Sequence, residues 1–133
     1  MFIIPFKPVA KERPRFSKKS GKTYTPANTE HFEKLVAECY KARGERSYMH
    51  GEPLFVSMVF YFAIPKSYSK KRREAILEGR EQYTKRPDLD NLVKSILDGL
   101  NGVAYEDDRQ VVGHAAFKKY GNEDCVEVSI WKI

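Results

Sequence analysis

An apolar run over residues 54–64, LFVSMVFYFAI, constrains the fold of this chain more than any other segment. It is rich in β-branched and aromatic residues and is bounded by Pro53 and Pro65, which predicts a central β-strand buried on at least one face. The run is far shorter than the roughly 20 apolar residues that a membrane-spanning helix requires. We therefore expect a sheet, and the 133 residues are typical of one domain covering residues 1–133.

Three segments, residues 23–44, 67–79 and 88–102, predict helices. In the third, apolar residues recur at steps of three and one and form one helix face, at Leu89, Leu92, Val93, Ile96, Leu97 and Leu100. The expected caps are Asn28 or Thr29 with an end at Gly44 for the first helix, Ser67 or Ser69 for the second, and Asp88 with a stop at Asn101 and Gly102 for the third.

Strands are predicted at both ends of the chain. Residues 1–6 are typical of a short apolar strand, and an arm over residues 7–22 follows, in which Pro8 and Pro14 disfavour helix and Gly21 marks a turn. Two closing strands are expected at residues 109–121 and 124–133, joined by a turn at Gly121 and Asn122. The predicted order is β, arm, α, β, α, α, β, β.

The charge is unevenly distributed within a net charge of +6. Residues 1–26 carry seven Lys or Arg and one acid, residues 66–86 carry eight and three, and residues 87–108 carry one base and six acids. A basic surface attracts polyanions such as nucleic acid. Carboxylates inside a basic field are explained if they hold divalent cations that meet phosphate, or if the bases are solvated and the acids cap a helix. Charge alone leaves both readings open.

Two pairs of acids flank the third predicted helix. Asp88 and Asp90 stand at its start, and Asp107 and Asp108 follow its end; they converge if the next strand runs back alongside the helix. Clustered carboxylates stay ionised only beside a cation, and oxygen ligands suit Mg²⁺ or Mn²⁺. The alternatives are helix capping for the first pair and a solvated turn for the second.

Lys94 lies four residues after Asp90, on the same helix face. An ammonium there can neutralise charge that develops on a reacting phosphate. The alternative is an ordinary ion pair with Asp90 or Asp98.

Other chemistries find little support. Cys39 and Cys125, like His31, His50 and His114, lack the spacing of a metal site or a disulfide framework. No glycine-rich phosphate loop is present, so no nucleotide cofactor is expected. The amino terminus lacks the features of a secretory signal, which predicts a cytoplasmic protein with no membrane partner.

Residues 86–112, RPDLDNLVKSILDGLNGVAYEDDRQVV, resemble the signature of the RusA family of Holliday junction resolvases. The family pattern is a D-L-D-N-L-x-K helix start followed by D-D-x-Q-[IV]. Residues 11–26, KERPRFSKKSGKTYTP, also resemble the arm of family members, so the similarity reaches both ends of the domain.

The resemblance implies an α+β fold, in which a mixed sheet is flanked by helices. It also implies a homodimeric, Mg²⁺-dependent endodeoxyribonuclease, with Mn²⁺ as a substitute, that cuts four-way junction DNA and is common in bacteria and prophages. Asp88, Asp90 and Asp108 fall at the metal-binding catalytic carboxylates and Lys94 at the catalytic lysine, while Asn91 orients a carboxylate and Asp107 assists Asp108. The expected DNA contacts are Lys11, Arg13, Arg15, Lys18, Lys19, Lys85 and Arg86.

Two alternatives remain at this point. One is a DNA-binding module that has the fold but no catalysis, although binding alone would favour the loss of the acids. The other is a metal-dependent nuclease that prefers forks or flaps, which the sequence separates poorly from a junction enzyme.

Overall fold

The computed structural model describes residues 1–43 and 46–133, and a four-stranded sheet organises them. The strands are β1 (Phe2–Ile4), β2 (Arg15–Phe16), β3 (Thr23–Tyr24), β4 (Leu54–Ala63), β5 (Val111–Gly121) and β6 (Cys125–Lys132). The helices are α1 (Ala27–Ala42), α2 (Lys70–Leu77) and α3 (Leu89–Leu100), and a 3₁₀ turn covers Asp108–Gln110. Within the described residues, no helix is both long and apolar enough to cross a membrane.

The main sheet is mixed, with the strand order β1-β6-β4-β5. Strand β4 runs parallel to β5 and antiparallel to β6, and β1 pairs with β6 in antiparallel register. The predicted central strand and the α+β class are therefore confirmed. The arm contains a separate hairpin of β2 and β3, and its turn includes Gly21 at φ 67°.

The two closing strands are not neighbours in the sheet. A short connection over residues 122–124 joins them, as the turn residues predict, but β4 lies between β5 and β6. Asp124 helps to hold this crossing, because its carboxylate accepts a 2.8 Å hydrogen bond from the backbone N–H of Ala63 at the end of β4. The predicted connection is therefore confirmed, and the insertion of β4 between the two strands is a long-range pairing that no local pattern reports.

The core lies between one face of the sheet and the helices. Alternate residues of β4 are fully or almost fully buried, at Leu54, Val56, Met58, Phe60 and Phe62. Helices α1 and α3 pack against each other closely, since a Cβ atom at Gly99 would lie 2.8 Å from Cβ of Val36. Glycine at this position therefore allows the backbones of α1 and α3 to approach each other closely.

Most predicted helix boundaries are confirmed. Helix α2 begins after Ser69, whose hydroxyl accepts a hydrogen bond from the N–H of Arg72, and α3 lies between Asp88 and Asn101. The predicted cap of α1 is wrong: Pro26 holds that position, and Asn28 and Thr29 lie inside the helix. The predicted end at Gly44 lies outside the described residues.

Thr29 has a different role from the predicted cap. It is fully buried, and its hydroxyl accepts a 3.2 Å hydrogen bond from the backbone N–H of Glu12. The side chain therefore helps to hold the arm against α1.

Candidate active site

The start of α3, the turn after it and the amino-terminal arm surround one cavity of about 860 Å³. Four aspartates line it, at Asp88, Asp90, Asp98 and Asp108, together with Asn91 and Lys94. Lys11, Glu12, Arg13 and Pro14 of the arm form another part of its wall. The structure thus places both ends of the sequence motif, and part of the basic arm, around the same space.

Asp88 occupies the N-cap position of α3 without capping it through its side chain. Its backbone is extended, at φ −68° and ψ 139°, and the carboxylate accepts no capping hydrogen bond from the described backbone. The backbone carbonyl accepts the first helical bond, from the N–H of Leu92 at 3.1 Å. Because capping does not engage it, the carboxylate remains available to the cavity.

Asp90, Lys94 and Asp98 are spaced four residues apart, so they share one face of α3. Lys94 makes no ion pair within 4 Å with a carboxylate of residues 1–43 or 46–133. The ordinary pairing with Asp90 or Asp98 that the sequence left open is therefore absent among these residues. Asp98 was not predicted as part of the site, although its distance of four residues from Lys94 was a signal.

The turn that carries Asp107 and Asp108 is fixed by hydrogen bonds. The carboxylate of Asp107 accepts a 2.9 Å bond from the N–H of Arg109 and caps the 3₁₀ turn. Asp107 therefore shapes the turn, whereas Asp108 lines the cavity.

Gln110 organises this turn from within. It is 7% exposed; its side-chain oxygen accepts bonds from the N–H groups of Glu106 and Asp107, and its amide donates to the carbonyls of Tyr48 and Glu52. The resemblance included this glutamine in its pattern but gave it no role. Its structural contribution is to hold the acidic turn against the segment that leads into β4.

The electrostatics of the two neighbouring acids differ. The backbone hydrogen bond from Arg109 is the main cause that lowers the pKa of Asp107. Partial desolvation, a hydrogen bond with Asp107 and the negative charges of Asp107 and Asp98 raise the pKa of Asp108. Asp108 therefore lies in a locally negative field, which a bound cation would relieve.

Lys11 ties the arm to the helices. Its backbone N–H donates to the carbonyl of Asn91 at 2.8 Å, and its ammonium lies 2.5 Å from a Glu33 oxygen and 3.2 Å from an Asp98 oxygen. Burial alone would lower the pKa of Lys11, but the bonds to both carboxylates outweigh it and raise the pKa. The ammonium is thus already engaged, and the DNA contact predicted for Lys11 stays a prediction.

The other predicted DNA contacts lie around the cavity or beyond it. Arg13 is exposed on the cavity wall, and Arg15 forms an exposed 3.3 Å pair with Glu12. The remaining residues are exposed and do not line the cavity: Lys18 and Lys19 in the β2–β3 turn, and Lys85 and Arg86 in the loop before α3.

The ligand atoms around the cavity are of the chemical type that a hard divalent cation binds. Carboxylate oxygens are the ligands that Mg²⁺ and Mn²⁺ prefer, and three of them come from the predicted positions Asp88, Asp90 and Asp108. In the part of the chain that the structure describes, no three acidic, histidine or cysteine side chains form a ready coordination cage. A cation at this site would therefore have to draw the carboxylates together.

Comparisons with known proteins identify relatives that match this chain over nearly its full length. Two curated relatives align over 99% of this chain and 95% of their own length. One is "Uncharacterized protein YqaN" of Bacillus subtilis (strain 168), 36% identical over 136 residues. The other is "Crossover junction endodeoxyribonuclease rusA" of Lactococcus phage r1t, 29% identical over 135 residues.

The family comparison covers nearly the whole chain. The family described as Endodeoxyribonuclease RusA matches residues 5–131, which include the arm, every helix and all cavity-lining residues. This extent of similarity shows that the chain belongs to the RusA family of endodeoxyribonucleases.

Proposed function

We propose that this protein is a Mg²⁺-dependent endonuclease that resolves four-way DNA junctions by paired phosphodiester cleavage. The observation that carries the proposal is the cavity in which Asp88, Asp90, Asp108 and Lys94 meet the arm residue Arg13. Carboxylates beside a basic arm suit a reaction in which a cation and a phosphate share one site. The name of the phage relative, which specifies crossover junctions, supports this choice of substrate.

The three carboxylates Asp88, Asp90 and Asp108 would hold the metal. When bound, Mg²⁺ supplies Lewis-acid polarisation of the scissile phosphate and acidifies water for attack. The chain positions these ligands from two segments, because Asp88 and Asp90 open α3 and Asp108 lies in the turn fixed by Gln110.

Lys94 would stabilise the negative charge that develops on phosphate oxygens as the bond breaks. It reaches the cavity from the same helix face as Asp90, and no described carboxylate within 4 Å neutralises it. A positively charged donor beside the reacting phosphate stabilises the negative charge of the transition state.

The basic residues would bind the DNA backbone on either side of the cavity. Arg13 lies in the cavity wall, and Arg15, Lys18 and Lys19 continue the exposed arm. Lys85 and Arg86 lie just before Asp88 in the chain. Each phosphate that these side chains neutralise adds salt-dependent affinity for any DNA shape.

A homodimer would present two equivalent sites to one junction. Resolution requires incisions on two opposing strands, and a two-fold symmetric dimer matches the two-fold arrangement of those strands. Each incision would leave a 5′-phosphate and a 3′-hydroxyl.

The test is cleavage of a synthetic four-way junction in Mg²⁺, with a fork, a flap and a linear duplex of the same sequence as controls. We expect symmetric cuts in the junction and at most slow cutting of the controls. If forks or flaps were cut as fast as the junction or faster, the preferred substrate would be those structures and not the junction. Binding without any cleavage, in Mg²⁺ or Mn²⁺, would favour the non-catalytic module.

A further inference from the structure

The loop that leads into α3 is held by a set of hydrogen bonds to its backbone. Three successive carbonyls, those of Lys85, Arg86 and Pro87, each accept a bond from a side chain. The ammonium of Lys118 donates to the first at 2.8 Å and to the third at 3.0 Å, and the hydroxyl of Tyr83 donates to the second at 2.7 Å. We call this arrangement the carbonyl clamp.

The donors of the carbonyl clamp are themselves held by the sheet. Lys118 lies in β5, where its register partner on the neighbouring central strand is the buried Phe60. The ring of Tyr83 stacks on Phe62 with centroids 4.3 Å apart and planes at 9°, and Tyr120 contacts it edge-on at 5.0 Å. Burial raises the pKa of Tyr83, so its hydroxyl keeps the proton that it donates.

Asp88 is the residue directly after the carbonyl clamp. Its carboxylate makes no capping bond with the described backbone, so the position of Asp88 depends on the preceding loop together with the bond from the N–H of Leu92 to its carbonyl. Strand β5, which carries Lys118, begins directly after the turn that holds Asp108. The same strand thus connects the two segments whose acids face the cavity.

We propose that Lys118 and Tyr83 are positioning residues that set the place of Asp88, and with it the metal affinity and cleavage rate of the site. This rests on the proposed function for its effect on cleavage. Neither residue lines the cavity, and both act through backbone carbonyls rather than through contact with substrate. Partners that orient a ligand without binding the metal are commonly needed for full affinity.

Three variants and a matched control test the proposal. Lys118→Met keeps most of the aliphatic stem but removes the donors, Lys118→Arg restores a charged donor, and Tyr83→Phe keeps the stacked ring without its hydroxyl. Lys119→Met is the control, because it removes the same charge from the next position of β5, on the opposite face of the sheet and away from the carbonyl clamp.

Three measurements are made on the full-length protein: Mn²⁺ binding by calorimetry, single-turnover junction cleavage at saturating enzyme, and hydrogen exchange of peptides covering residues 84–92. We expect Lys118→Met to lower both Mn²⁺ affinity and cleavage rate by about 10–100-fold, the range typical of groups that orient metal ligands. Tyr83→Phe should lower both less, and Lys118→Arg should recover part of the loss. Hydrogen exchange of residues 84–92 should rise in Lys118→Met and in Tyr83→Phe. The junction affinity of both variants, and all three measured properties of the Lys119→Met control, should stay within twofold of wild type.

The proposal is overturned if Lys118→Met and Tyr83→Phe leave Mn²⁺ affinity and loop exchange within twofold of wild type. It is also overturned if Lys119→Met loses as much as Lys118→Met, because the effect would then be one of charge alone. If wild-type protein cuts no junction, the proposed function fails while the Mn²⁺ and exchange data still decide the role of the carbonyl clamp. If wild-type protein also binds no Mn²⁺, unchanged exchange in both variants rejects the carbonyl clamp, and raised exchange supports it.

Discussion

The ammonium of Lys11 lies 3.2 Å from a carboxylate oxygen of Asp98, and this contact joins the basic arm to the helix that carries the candidate catalytic acids. Glu33 of α1 completes the contact from the other side, at 2.5 Å. Three segments of the chain therefore meet at this lysine, which lies two residues before Arg13 of the cavity wall.

Removing this lysine should loosen the arm. We expect Lys11→Met to lower the free energy of unfolding by about 1–3 kcal/mol, because two partly buried carboxylates lose their partner. Lys34→Met is the control: its pair with Glu30 is exposed and should be worth no more than about 0.5 kcal/mol. Urea titration of both variants checks this, and equal losses would contradict it.

The Lys11 contact also predicts a pH dependence. The pKa of Lys11 is raised in the folded protein, so its stabilisation is fully present below the ordinary lysine pKa of 10.5 and is lost as the pH rises through the higher folded-state value. The stability difference between wild type and Lys11→Met should therefore be constant near neutral pH and shrink in strong alkali. A difference that grew with pH would show that the contact is not an ion pair of this sign.

The three carboxylates should be needed for cutting but not for binding. We expect Asp88→Asn, Asp90→Asn and Asp108→Asn each to abolish cleavage and to retain junction binding, which can tighten without metal because a negative charge near phosphate is removed. Gel-shift and cleavage assays on the same junction measure the two properties. Glu123→Gln, an exposed acid away from the cavity, is the control. Wild-type cleavage by two of the three variants would show that the metal ligands lie elsewhere.

Lys94 distinguishes transition-state stabilisation from a surface role. We expect Lys94→Ala to reduce single-turnover cleavage by about 10²–10³-fold, as removal of an oxyanion donor does, with the melting temperature unchanged. Lys94→Arg should be partly active, since it keeps the charge but not the compact geometry of the ammonium. Saturating enzyme removes any binding defect from the comparison. A rate for Lys94→Ala within about threefold of wild type would assign the lysine no part in the reaction.

The arm should carry part of the salt dependence of binding. Each phosphate neutralised contributes a slope of about −0.9 to log affinity against log salt. We expect Arg13→Glu with Arg15→Glu to flatten that slope and to weaken binding to every DNA shape, whereas Lys132→Glu, at the end of β6, should change it little. Affinities between low and moderate salt measure this, and an unchanged slope would show that the arm does not touch DNA.

Paired cutting predicts a dimer with two working sites. Light scattering should give a mass near twice that of the 15.4 kDa chain. Mixed dimers in which one protomer carries Asp88→Asn should nick a cruciform plasmid without linearising it, because only one strand is cut per encounter. Full resolution by such mixed dimers, or a monomeric mass at the assay concentration, would contradict the paired mechanism.

The parts of this protein that depend on neighbouring residues along the chain were predicted from the sequence. The β-branched and aromatic run of β4 and the three-and-one spacing of apolar residues in α3 are local patterns, so both elements were predicted with nearly their observed bounds. The sequence also placed acids at both ends of α3, because Asp88 and Asp90 stand at the start of the apolar helical pattern and Asp107 and Asp108 follow its stop at Asn101 and Gly102.

The way in which those parts pack together depends on contacts between residues far apart in the chain. The insertion of β4 between β5 and β6 depends on pairing between strands far apart in sequence, and no local pattern encodes it. The same holds for Lys11. Its charge and position in the arm predicted a contact with DNA, whereas in the folded chain its ammonium lies beside the carboxylates of Glu33 and Asp98. Lys118 reaches a carbonyl 33 residues away, so its contact with the loop before Asp88 exists only once β5 has taken its place beside β4.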